Sequence, residues 1–72
     1  MPANKHVSFY EPSRCYLETF DVTEERNDIL QHCRELGFSI AESEDITSWA
    51  EQASEGDEYN TKRDDVQIFM WD

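Results

Sequence analysis

Residues 6–20 read HVSFYEPSRCYLETF and contain two runs of alternating apolar and polar side chains, from which the fold prediction starts. Across residues 6–11 apolar and polar side chains alternate, which is the period of a β-strand. Pro12-Ser13 interrupts the pattern, and the alternation resumes over residues 14–20. Because two strand patterns are joined by so short a connection, the sequence predicts an antiparallel β-hairpin.

A first helix is predicted after the hairpin. Asp21 or Thr23 is expected to be its N-cap, because short oxygen-bearing side chains accept hydrogen bonds from the first turn. Gly37 is expected to end it, since glycine readily adopts the left-handed conformation that terminates helices. Apolar residues at helical spacing form its predicted buried stripe: Ile29, Leu30, Cys33 and Leu36.

A second helix is predicted to begin at Glu44-Asp45, with Ser43 as its cap, and to stop within residues 54–57. Its apolar face is expected to consist of Ile46, Trp49, Ala50 and Ala53. Between the helices, residues 38–40 are either a short strand or a buried connection.

The last predicted element is a strand over residues 66–71, which is apolar on both faces and follows a polar loop that runs through Asp65. The order β-β-α-α-β predicts one α+β domain spanning residues 1–72. We expect a two-layer sandwich, with a three-stranded antiparallel sheet and both helices on one face.

The charge of the chain is the main functional signal. Seventeen residues are Asp or Glu and only six are Lys or Arg, which gives a formal net charge of −11. Like charges crowded on a small domain destabilise it, and they attract basic partners. Phosphates would be repelled, so direct nucleic-acid binding is not expected, and anionic membranes are disfavoured for the same reason.

The acidic residues are concentrated in residues 37–72. If the second helix continues to Glu58, several of them recur at whole-turn multiples and form a row spaced like the phosphates of a nucleic-acid strand. The predicted partner-binding residues are Glu42, Glu44, Asp45, Glu51, Glu55, Asp57 and Glu58, with Asp64 and Asp65 in support. The alternative is that these side chains are the solvated backs of amphipathic helices and serve solubility.

In length and charge the chain is similar to small acidic inhibitors encoded by phages, among them many anti-restriction and anti-CRISPR proteins. The similarity is one of class and includes no shared motif. It implies a protein that occupies the basic surface of a nucleic-acid-binding protein or complex and blocks it, in the host cytoplasm if the chain is phage-encoded.

The strand alternation also predicts an aromatic second face of the sheet. The helices are expected to cover Val7, Phe9, Cys15, Leu17, Val66, Ile68 and Met70. The opposite face then presents Tyr10, Tyr16, Phe20, Phe69 and Trp71. Aromatic clusters of this kind suit protein interfaces, so a homodimer or a protein–protein adaptor is the alternative function. A register error of one residue would instead make these aromatics core.

Other site chemistries find little support in the sequence. His6, Cys15, His32 and Cys33 lack the spacing of a zinc site, so no metal or other cofactor is expected. Both cysteines are expected to be reduced and buried in a cytosolic protein. The chain lacks a nucleophile motif and a glycine-rich phosphate loop, and we expect a protein that is not an enzyme.

Overall fold

The structure is a computed structural model that describes residues 5–71, with Trp71 described by its main chain alone. The helices and strands within this range are β1 (His6–Glu11), β2 (Tyr16–Asp21), α1 (Arg26–Glu35), α2 (Ile40–Gln52), β3 (Glu58–Tyr59) and β4 (Gln67–Trp71). The predicted α+β class is confirmed. No helix among the described residues is long and apolar enough to cross a bilayer.

The strands form one antiparallel sheet in the order β2-β1-β4-β3. The prediction of three strands is wrong, because β3 adds a fourth strand within the segment predicted as a loop. Glu58 pairs with Phe69 and Tyr59 pairs with Ile68. Two residues are too few to show an alternation, and β3 is recognisable only from its partner strand.

The register of β2 differs from the predicted one. Residues 12–14 form a 3-10 turn, and Cys15 adopts a left-handed conformation with φ 49°. This four-residue connection pairs Glu11 with Tyr16, so both side chains point to the same face. The predicted alternation carried across the turn had placed Tyr16 on the opposite face.

The corrected register exchanges the roles of three predicted side chains. Phe20 pairs with Val7 and is 8% exposed, so it belongs to the core and not to an outer aromatic face. Leu17, predicted as core, is 48% exposed on the face away from the helices. Cys15 is also exposed, contrary to the prediction.

Both helices pack on the sheet face that carries Val7 and Phe9, as predicted. The buried apolar residues form one continuous core. It consists of Val7, Phe9, Phe20, Val22, Ile29, Cys33, Phe38, Ile46, Ala50, Ala53, Val66, Ile68 and Met70. The core thus joins both helices to β1, β2 and β4.

The first helix begins later than predicted and ends where predicted. Asp21 caps the turn before it, because its carboxylate accepts hydrogen bonds from the main-chain N–H groups of Thr23 and Glu24 at 2.9 and 2.8 Å. Gly37 has φ 95° and follows the helix. The N–H of Phe38 reaches back to the carbonyl of Cys33 at 3.1 Å, which completes a Schellman motif.

The second helix is displaced toward the N-terminus relative to the prediction. Ser39 is its N-cap and accepts a hydrogen bond from the N–H of Glu42 at 3.1 Å. Ser43, predicted as the cap, is buried within the helix. At the other end, the Lys5 ammonium donates to the carbonyl of Ala53 at 2.9 Å, which favours termination there. Residues 38–40 are therefore a connection and the first helical turn.

Candidate functional site

All nine acidic residues predicted to bind a partner are exposed. They do not form the predicted row, because α2 ends at Gln52. Glu55 lies in the turn that follows, Glu58 belongs to β3, and Asp64 and Asp65 lie in the loop before β4. The structure divides these carboxylates among several surfaces.

Two of the predicted carboxylates face α1, where arginines oppose them. Arg26 donates to the Glu51 carboxylate at 3.0 Å. Glu44 lines a groove of about 490 Å³ between the two helices, together with Arg26 and Arg34. Leu30 and the exposed Ile40 provide apolar surface in the same groove. This side of α2 is therefore mixed in charge.

Two other predicted carboxylates, Glu42 and Asp45, lie on the opposite side of α2 and affect Tyr59 of the edge strand β3. Burial raises the pKa of Tyr59, and the negative charges of Asp45 and Glu42 raise it further. The ring of Tyr59 also packs edge-to-face against Trp49, with 5.4 Å between centroids. We call β3 with Glu42, Asp45 and Glu58 the β3 edge.

The loop that follows β3 carries a cation. Arg63 donates to both carboxylate oxygens of Asp65, at 2.9 and 2.6 Å, and these hydrogen bonds hold the pKa of Asp65 below its usual value. The guanidinium also lies over the ring of Phe38, 4.6 Å from its centroid. One of the two supporting aspartates is therefore already paired.

A second acidic surface, which the sequence analysis missed, lies between β2 and α1. A groove of about 320 Å³ separates the strand from the helix. It is lined by Tyr16, Glu18, Phe20, Glu25, Asp28, Gln31, His32 and Glu35. Four of these side chains are carboxylates, and within the described residues the lining contains no Lys or Arg. We call this cleft the β2–α1 groove.

Charge segregation on α1 separates this groove from the interhelical one. Glu25, Asp28 and Glu35 follow one side of the helix at spacings of three and seven residues, and they line the β2–α1 groove. Arg26 and Arg34 are eight residues apart and line the groove toward α2. This pattern is visible in the sequence, although its meaning depends on which side of α1 faces β2.

Tyr16 and Glu18 form the strand wall of the β2–α1 groove. The Tyr16 hydroxyl donates a hydrogen bond to the Glu18 carboxylate, which raises the pKa of the tyrosine. His32 lies at the base, with its ring 4.9 Å from that of Phe9 and 5.2 Å from that of Phe20. The groove thus has an aromatic floor and a carboxylate rim.

The sheet face away from the helices is less aromatic than predicted. Tyr10 and Phe69 do lie on it and are half-buried. Tyr16 and Phe20 point to the helix side, and Leu17 takes a place beside Tyr10. Trp71 pairs with His6 through its main chain, and its side chain lies outside the described structure.

The two cysteines occupy contrasting positions. Cys33 is fully buried, and burial raises the pKa of its thiol to about 12. Cys15 is exposed, so only one of the two predicted buried thiols is buried. Within residues 5–71 no group of three or more His, Cys, Asp or Glu side chains is placed to hold a metal ion.

Comparisons of the chain with protein families, with curated proteins and with solved structures find no match.

Proposed function

We propose that the protein is a small acidic inhibitor that binds a basic surface of a nucleic-acid-binding protein or complex by mimicking the phosphate charge of DNA or RNA. In this proposal it is a phage-encoded inhibitor of host defence, of the anti-CRISPR or anti-restriction kind, and acts in the host cytoplasm. It acts by occlusion, without catalysis and without a cofactor.

One observation carries this proposal: all nine predicted residues are exposed. Glu51 and Asp65 form salt bridges with arginine, and Asp57 accepts a hydrogen bond from the N–H of Ser54. The fold is held by an apolar core and main-chain caps, and none of these nine side chains belongs to that core. Their mutual repulsion opposes folding. A partner that supplies Lys and Arg would relieve that repulsion on binding.

The β3 edge is the best centre for such contacts. Glu42 and Asp45 are three residues apart on α2, which places their side chains about 5–6 Å apart at Cβ. They share a side of α2 with Trp49, whose ring packs against Tyr59, so they lie on the side of α2 toward β3, which carries the exposed Glu58. These charges can meet side chains that otherwise contact successive phosphates.

The test compares two triple variants that change net charge equally. Glu42→Lys, Asp45→Lys and Glu58→Lys reverse the β3 edge, whereas Glu24→Lys, Asp28→Lys and Glu35→Lys reverse charges on the other side of the molecule. Each protein is immobilised and used to capture nuclease-treated bacterial lysate. We expect the wild type and the second variant to retain a nucleic-acid-binding protein that duplex DNA displaces and that rising salt releases.

The β3-edge variant should lose that capture. Equal loss in both variants would contradict a site centred on the β3 edge, and a partner that neither added DNA nor added RNA displaces would contradict phosphate mimicry. Circular dichroism of each variant is the control for folding.

The alternative function is a homodimer or adaptor that uses the uncovered sheet face. The observation that favours it is the exposure of Leu17, which is 48% exposed beside the half-buried Tyr10. Leu17→Ser with Phe69→Ser should then abolish self-association in sedimentation velocity, with an association constant of the wild type that varies little with salt. A wild type that sediments as a monomer at all concentrations would remove the homodimer.

A further inference from the structure

The outer edge of β2 is open for pairing. In the described part of the chain β2 pairs with β1 alone. The N–H of Val22 donates to the carbonyl of Lys5 at 3.0 Å. This hydrogen bond shows which residues of β2 direct their main-chain groups toward β1. Because the hydrogen-bonding direction alternates along antiparallel strands, the N–H and C=O groups of Leu17 and Thr19 point away from β1.

Within residues 5–71, the recorded contacts that close this edge lie at one end, around Asp21. The N–H of Asp21 donates to the Glu25 carboxylate at 2.8 Å, and the carbonyl of Asp21 accepts from the N–H of Glu25 at 2.9 Å. These contacts occupy the outward groups of Asp21. The edge positions at Leu17 and Thr19 therefore remain available to another strand.

The β2–α1 groove runs beside the same edge. Tyr16, Glu18 and Phe20 form its strand wall, because they are the side chains of β2 that point to the helix side. A strand added to β2 would place alternate side chains beside that wall, facing the carboxylates of α1. The intervening side chains would lie beside Leu17 and Thr19 on the uncovered face.

We propose that the β2 edge binds an extended segment of a partner that carries Lys or Arg at alternate positions and uncharged side chains between them. Main-chain hydrogen bonds to Leu17 and Thr19 provide pairing, and the carboxylates of the β2–α1 groove select the basic side chains. This inference does not rest on the function proposed above, since it uses β2 and α1 and leaves α2 out.

Charge decides between a basic segment and a second copy of the chain. Pairing of two β2 edges would bring the carboxylates of both grooves together, and like charges placed opposite each other destabilise a sheet. A basic segment instead brings opposite charges to a groove whose described lining contains no Lys or Arg. Complementarity therefore favours the basic occupant.

The experiment uses an acetylated, amidated octapeptide of alternating Arg and Val, titrated into the isotopically labelled full chain and followed by NMR. The control peptide has the same composition, with the four Arg residues consecutive. We expect the amide signals of Leu17 and Thr19 to shift and the alternating peptide to bind about tenfold more tightly than the control, because only alternation places all charges on one side of a strand.

Two pairs of matched variants locate the binding site. Leu17→Pro removes an outward N–H without touching the β1 ladder and should abolish the titration, whereas Leu17→Ala should change affinity less than about threefold. Glu18→Gln with Asp28→Asn should weaken binding about tenfold, while Glu44→Gln with Asp45→Asn, which change charge equally on α2, should have a smaller effect. The second pair keeps the test decisive if Leu17→Pro fails to fold.

Three results would overturn the proposal. The first is equal binding of both peptides. The second is equal weakening by the two double variants that replace carboxylates with amides, since it would indicate attraction to net charge alone. The third is a concentration-dependent shift of the Leu17 and Thr19 amides without peptide, which would show that the edge pairs two copies.

Discussion

The two edges of the sheet share an excess of carboxylates, but they differ in strand length and in the basic side chains beside them. At one edge β2 presents six residues, and beside it lies the β2–α1 groove, whose described lining has no basic side chain. At the other edge β3 has only two residues, Tyr59 is packed against Trp49, and Arg63 lies in the following loop. Short edge strands limit unwanted strand pairing, and β3 has this feature.

Net charge alone therefore does not describe either surface. The β3 edge offers charge on a blunted strand, so it suits side-chain contacts with a folded basic surface. The β2 edge offers charge beside unpaired main chain, so it suits an extended segment.

The largest expected effect is the difference in reactivity between the two thiols, which supplies a probe for the β2 edge. Cys15 is exposed at the start of β2, whereas burial raises the pKa of Cys33 from 9.0 to about 12. The thiolate fraction of Cys33 near pH 8 is therefore about a thousandfold lower than that of an ordinary thiol. Iodoacetamide labelling followed by mass spectrometry should modify Cys15 alone in the folded protein.

The same shift predicts how stability depends on pH. Because the thiol of Cys33 has a higher pKa in the folded state than in the unfolded state, its contribution is complete below pH 9.0 and is lost as the pH rises toward about 12. Cys33→Ala should remove this dependence in urea unfolding, whereas Cys15→Ala should leave it. Rapid labelling of Cys33 at pH 8 would show that the core opens locally.

The next effect tests the register that defines the β2 edge. Phe20→Ala should lower the free energy of unfolding by about 3–5 kcal/mol, because it leaves a cavity beneath α1 beside Phe9. Leu17→Ala, on the exposed side, should cost less than about 0.5 kcal/mol. Urea unfolding measures both. A larger loss of stability for Leu17→Ala than for Phe20→Ala would support the predicted register and contradict the β2–α1 groove.

The sequence predicted both helices and the strands β1, β2 and β4 but missed the edge strand β3, and the reasons for its errors are local. The end of α1 was predictable because Gly37 supplies a conformation that few other residues adopt. The start of α2 was not, because Ser39 and Ser43 are both suitable caps and only packing of Phe38 and Ile46 selects the first.

The acidic surfaces were predictable as composition and not as geometry. The nine residues in the second half are exposed as expected, but the row required α2 to continue past Gly56, which has φ 91°. The β2–α1 groove was missed because its two walls come from different elements. Its strand wall depends on the left-handed Cys15, whose effect on register no alternation pattern reveals.

A smaller effect concerns the attachment of β3. The Trp49 and Tyr59 rings meet edge-to-face, and such pairs contribute about 0.5–1.5 kcal/mol beyond burial. A double-mutant cycle of Trp49→Leu and Tyr59→Leu should give a coupling energy in that range. Hydrogen exchange at residues 58 and 59 should accelerate in either single variant. A coupling near zero would mean that β4 alone holds the β3 edge.

The smallest expected effect comes from removing Arg63, one of the two basic residues in the loop that follows β3. Arg63→Gln removes both hydrogen bonds to Asp65, so the pKa of that carboxyl should rise toward 3.8, which NMR titration can follow. A carboxyl whose pKa is lower in the folded state than in the unfolded state stabilises the fold at pH values above the unfolded-state pKa. This stabilisation is lost as the pH falls through the folded-state pKa. The variant should therefore be less stable than wild type at pH 7, with the difference shrinking toward pH 3. Arg63→Lys, which keeps the charge and loses the paired geometry, should lie between them. If the alternating Arg peptide also bound the Arg63→Gln variant at β3, charge alone would account for the difference between the two edges. If the peptide continued to bind only at Leu17 and Thr19, the unpaired main chain of β2 would account for it.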